Sequence, residues 1–205
     1  MRLMVDDAQV ALERPTLAAA IAAGAAHADS LGRIVVEVRA DGVTLAERDI
    51  ESAPDVPGTF EEVSLLTASK GELGASVLMA ASGALSDLVS AQRFVAEQIL
   101  ATKLEPAMNA LQEVLSVWQG VREGTDQVCT LMASDFGSLA ARAGRPGVES
   151  GIAERTASAL TEVKRCVQGH DWSTLADVMQ DELESLALAW RDLLAAIAES
   201  LAEGE

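Results

Sequence analysis

The spacing of apolar and polar positions changes near Thr67. Before it, short β-branched runs are broken by Gly, Pro and Asp; after it, apolar residues recur every three or four positions. A period of two predicts strands and a period near 3.6 predicts helices, so the pattern alone describes an α+β chain.

In the first part, Arg2 to Val5 and Gln9 to Leu12 read as strands around a polar break at Asp6-Asp7-Ala8. Thr16 caps an Ala-rich helix, Leu17 to Ser30, that stops at Gly32. Arg33 to Arg39 follows as a strand with Ile34, Val36 and Val38 on one face and Glu37 and Arg39 on the other. Asp41-Gly42 predicts a tight turn into a brief strand, Val43 to Leu45. A loop with Pro54, Pro57 and Gly58 leads to a last strand, Phe60 to Thr67. The expected core is Leu3, Val5, Leu17, Ile21, Ile34, Val36, Val38, Val63 and Leu65.

In the second part, Ser69-Lys70-Gly71-Glu72 is a capping box, in which side chains of Ser and Glu each take a backbone amide that the first helical turn leaves unpaired. It opens a long helix with the stripe Leu73, Val77, Ala81, Leu85, Leu88, Val95 and Ile99, whose one wide gap holds Gln92. Pro106 suits the first turn of a second helix, marked by Met108, Leu111, Leu115, Trp118, Thr125, Val128 and Met132. Ser134 to Ser150 reads as a long loop carrying Arg142, Arg145 and Pro146, either mobile or a contact site. A shorter helix spans Ile152 to Val167. Asp171 or Ser173 then caps a final helix running from Leu175 through Trp190 to Leu201. Four amphipathic faces close most simply as an elongated antiparallel four-helix bundle, with long helices of roughly 45 Å. The expected organisation is a head, residues 1–68, and a helical body, residues 69–205.

Charge narrows the partners. The chain of 205 residues has 15 basic and 32 acidic groups, net −17. Residues 1–68 carry 5 basic against 12 acidic groups, net −7, and the rest 10 against 20, net −10. Binding a phosphate backbone or anionic lipid would oppose long-range repulsion, so neither nucleic acid nor membrane is expected as a partner. The opening residues carry two acids and no long apolar core, unlike a secretory signal, and Leu17 to Ala26 is too short to span a bilayer. Cys129 and Cys166 read as helix-interior thiols, and a cytoplasmic location is expected.

Candidate chemistry is sparse. Asp177, Asp181 and Glu184 step by four and three residues, the spacing of a carboxylate metal site, yet no Glu-x-x-His accompanies them and an acidic helix start satisfies the helix dipole. His170-Asp171 beside Trp172 could orient a proton, but no nucleophile is placed by position, and the turn and cap explain both residues. No Gly-rich loop has the spacing or Lys of a phosphate cradle. No enzyme activity, cofactor or metal is expected. Trp118 and Trp190 fall on the apolar stripes, whereas Trp172, Arg142 and Arg145 are candidates for contact with a protein partner.

The element order of the head resembles the β-grasp or ubiquitin-like fold. That resemblance implies a mixed sheet wrapped on one helix and a protein-binding or capping role. The head runs into a helix instead of a free Gly-Gly tail and lacks four clustered cysteines, so neither conjugation nor iron-sulfur chemistry is implied. The closing stretch His170 to Trp190 resembles that of bacterial proteins that join a small β-grasp-like head to an acidic helical body. The body is also similar in build to flagellar or secretion export chaperones, and Gln92 to Leu115 resembles a tetratricopeptide hairpin. The expected function is non-enzymatic protein–protein interaction, with a homodimer as one form; the alternatives are an export-chaperone-like protein, a carboxylate metal-binding bundle, or a bundle with an apolar ligand cavity.

Overall fold

The computed structural model describes residues 1–58 and 60–203. It is α+β: a five-stranded mixed sheet near the N-terminus, then helices. Two compact units divide the chain, Met1–Leu73 and Gly74–Glu205.

In the first unit the elements are β1 (Arg2–Val5), β2 (Ala8–Val10), α1 (Leu17–Ser30), β3 (Arg33–Ala40), β4 (Val43–Thr44), α2 (Glu47–Glu51) and β5 (Glu62–Ser69), and the sheet order is β2-β1-β5-β3-β4. β1 and β5 are parallel and the other pairs antiparallel. Thr16 caps α1 by accepting the Ala19 amide, and its hydroxyl donates to Asp55 at 2.7 Å, tying the helix start to the Pro/Gly loop. Leu3, Val5, Leu17, Ala20, Val38, Val63 and Leu65 form the core. The helix lies so close that a Cβ on Gly24 would stand 2.5 Å from Leu65 Cδ2.

Val36 departs from the expected core. A bulge between Val35 and Glu37 adds one residue to β3 against β5. One extra residue reverses the inside-outside alternation, so Val35 and Val38 pack inward while Val36 is 49% exposed. α2, Glu47–Glu51, forms between the expected strand at Val43 to Leu45 and the Pro/Gly loop, where the sequence pattern assigns no element.

α3 (Lys70–Leu100) continues from β5, with its first turn in the first unit and the rest in the second, and is followed by α4 (Leu104–Leu131), α5 (Phe136–Arg142), α6 (Val148–Gly169), α7 (Trp172–Asp177), a π-helical stretch (Val178–Leu183) and α8 (Glu184–Glu203). Ser82 Oγ donates to the Arg191 carbonyl and Arg93 pairs with Glu184, so α3 and α8 run in opposite directions. A Cβ on Gly124 would touch Val77 and one on Gly74 would touch Val128, which sets α3 antiparallel to α4. One continuous apolar core joins these helices.

The expected loop of residues 134–150 is corrected. Asp135 accepts the Ser138 amide at 2.8 Å and starts α5, whose Leu139 and Ala140 are buried. α6 begins at Val148, after the left-handed Gly147, instead of at Ile152. The last helix is also not uniform: the wider π turn lets Val178, Met179 and Leu183 all reach the core.

Candidate functional site

The capping box forms as expected: the Ser69 amide donates to Glu72 Oε2 at 2.8 Å, and the Glu72 amide to Ser69 Oγ at 3.0 Å. Arg33 reaches the same carboxylate at 3.3 Å and also donates to the Thr67 hydroxyl and carbonyl. Thr67 in turn donates its amide and hydroxyl to Asp6 at 2.8 and 2.7 Å. These bonds stabilise the ionised Asp6 and hold its carboxyl below the usual range, the Thr67 hydroxyl contributing most. A depressed folded-state pKa adds stability above the ordinary value of 3.8 and loses it as pH falls through the lower folded value. Asp6→Asn is expected to cost about 1 kcal/mol at pH 7, discounted for solvent screening, and nothing once the parent carboxyl is protonated. Urea titrations at neutral and strongly acidic pH measure the difference.

The three carboxylates predicted as a metal candidate do not converge. Glu184 is engaged by Arg93 through two hydrogen bonds, which lower its pKa, while Asp177 and Asp181 are exposed. Among the described residues no group of three His, Cys, Asp or Glu is placed to hold a metal ion. Asp171 caps α7 by accepting the Thr174 amide and is also bonded by Arg165. His170 closes α6 in the left-handed region at φ 55° and meets Trp172 edge-on, with ring centroids 5.5 Å apart. Trp172 is half-buried against the helical core. Arg142 and Arg145 are exposed and make no ion pair among the described residues. Both cysteines are free, and burial is the leading cause that raises each thiol's pKa.

Two cavities stand out. One, of about 410 Å³, lies in the first unit between α1, β3 and α2. The other, of about 330 Å³, is lined by Trp118, Phe136 and Trp190 together with Thr156 and Leu160. Trp118 is nearly buried and its indole N–H has no acceptor among the described residues; the Trp190 N–H donates to Thr156 Oγ1 at 2.9 Å.

One surface feature is one that periodicity did not single out. α3 buries Leu78, Leu85, Leu88, Val95 and Ile99 along one side, while Met79, Ala80, Gly83, Ser86, Ser90 and Phe94 are exposed along the other. Between Glu72 and Arg93 the only charged residue is Asp87, in a chain whose residues are 23% charged. Leu100 and Leu104 are also exposed, at 67% and 38%, on either side of the turn into α4. Among the described residues α3 is the one helix long and apolar enough to cross a membrane by length and composition, with 33% of its apolar window buried. The available signal was a single charge, Asp87, over five turns, hidden because an amphipathic pattern draws attention to the stripe that packs inward. Comparison of the chain with protein-family models, curated proteins and solved structures finds no match.

Proposed function

We propose that this is a non-enzymatic protein-interaction protein in which the outer face of α3 packs against the same face of a second copy. In this reading the first unit is a β-grasp head, and α3, α4, α6 and the α7–α8 helix form an antiparallel four-helix bundle. The observation that carries it is the exposed side of α3, on which Asp87 is the one charged residue between Glu72 and Arg93. Two chains of net −17 repel at long range, and this face is where they meet with least like-charge cost. Small residues at Ala80, Gly83, Ser86 and Ser90 let two helix backbones approach closely, with Met79 and Phe94 as larger contacts. A helix partner fits better than a bilayer, because the opposite side of α3 is already packed in protein core. The two free thiols suit the cytoplasm.

The strip is narrow. From Met79 to Phe94, at ~1.5 Å per residue and ~10 Å width, it offers roughly 240 Å² per copy, about a third of a standard interface. A dissociation constant in the micromolar range is expected. Ala80→Glu puts a carboxylate on the contact without touching the folded core, and sedimentation velocity should show dimerisation weakened at least ~30-fold, about 2 kcal/mol. An unchanged association constant for that variant overturns the assignment.

A further inference from the structure

The geometry points to a second docking site, in which the free edge of β3 takes up an extended peptide segment of aliphatic and basic character by strand addition. The inference rests on the reading of the chain as an interaction protein but not on the α3 face. β4 pairs with β3 only at Arg39 and Ala40, and the Leu45 amide takes the Val38 carbonyl at 2.9 Å. From Arg33 to Glu37, β3 has β5 on one side and, among the described residues, no strand on the other. The row of backbone donors and acceptors along such an edge is matched by another extended backbone, whereas a helix has its own groups already paired.

The cleft of about 410 Å³ runs beside this edge, lined by Ile21 and Ala25 of α1, Val35 and Val36 of β3, and Leu45 and Ile50. Strand addition draws affinity from main-chain bonds and selectivity from pockets that receive every second side chain. The bulge brings both Val35 and Val36 to the cleft, so its floor is suited to Val, Ile or Leu. The charged residues lining it are Glu37 and Glu47. Glu37 is neutralised by Arg39 at 2.9 Å, whereas Glu47 is exposed and makes no ion pair among the described residues. Within a head of net −7, that rim selects Lys or Arg beside the aliphatic core of the peptide.

The experiment titrates the full-length protein with a synthetic peptide of about ten residues, alternating Val and Thr between Lys pairs, followed by amide NMR. Saturable binding with a dissociation constant on the order of 10–100 μM is expected, with the largest shifts at Ile34 to Val38. A copy of the peptide N-methylated at alternate core amides keeps its side chains and loses its donors, so its affinity should fall at least ~10-fold. Val36→Lys, at an exposed position, should weaken binding by a similar factor, and Ala80→Glu should leave it unchanged while reducing dimerisation. No saturation by about 1 mM, equal binding of the N-methylated peptide, or shifts centred away from β3 would overturn the site. If Val36→Lys fails to fold, the N-methylated peptide and the shift map on the parent protein still decide.

Discussion

Trp190→Ala is expected to lower the stability of the helical unit by about 3 kcal/mol, the lower part of the range for removing a large aromatic side chain from a core. The Trp190 ring stacks on Phe136 with centroids 5.5 Å apart and 27° between planes, and its N–H donates to Thr156. Thr156 is 8% exposed, so that bond lies in a largely dry place. The substitution therefore removes the contact that fastens α5 to α8 and deprives α6 of a polar tie. Its cost stays low in the range because Trp190 is only half-buried and already borders a cavity of about 330 Å³ that water can enter. Trp190→Phe keeps most of the ring and should cost about half as much. Urea denaturation followed by circular dichroism measures both; a loss under ~1 kcal/mol for Trp190→Ala would mean that α5 is not held by this ring.

The second large effect has the opposite sign. Gln92 is 0% exposed, and neither its Nε2 nor its Oε1 has a hydrogen-bond partner among the described residues. Burying an amide without partners costs about 1–3 kcal/mol. Met has nearly the same shape and no polar group to strand. Gln92→Met is thus expected to stabilise the helical unit by about 2 kcal/mol, raising Tm by about 4–8 °C. Differential scanning calorimetry checks it. A fall in Tm would show that the amide is satisfied by water inside the core and that the core is built around it.

Much of the element order was legible because local chemistry specifies it. Thr16 and the Ser69–Glu72 box mark two helix starts, and Asp41-Gly42 marks a turn in which both residues take positive φ. The apolar stripes of the helices translated directly into buried residues such as Leu85, Leu111 and Leu193. What failed to be legible depends on partners distant in sequence. The bulge at Val36 is a relation between β3 and β5, so strict alternation along Arg33 to Arg39 placed Val38 inward correctly and gave the wrong face for Val36. α5 is too short for periodicity to reveal and is stabilised by Trp190, more than fifty positions along the chain. The acidic face at Asp177, Asp181 and Glu184 had the spacing of a ligand set, but spacing along one helix could not show that Arg93 on α3 takes Glu184. The candidate surfaces were the least legible, since a sparsely charged helix side and an unpaired strand edge are defined by what does not cover them.

The central claim, that the outer face of α3 joins two copies, is tested most directly by the mass of the full chain in dilute buffer. Light scattering across about 1 to 200 μM should show the weight-average mass climbing from 21.4 kDa toward twice that value, 2 × 21.4 = 42.8 kDa. A mass that stays at 21.4 kDa throughout would contradict it.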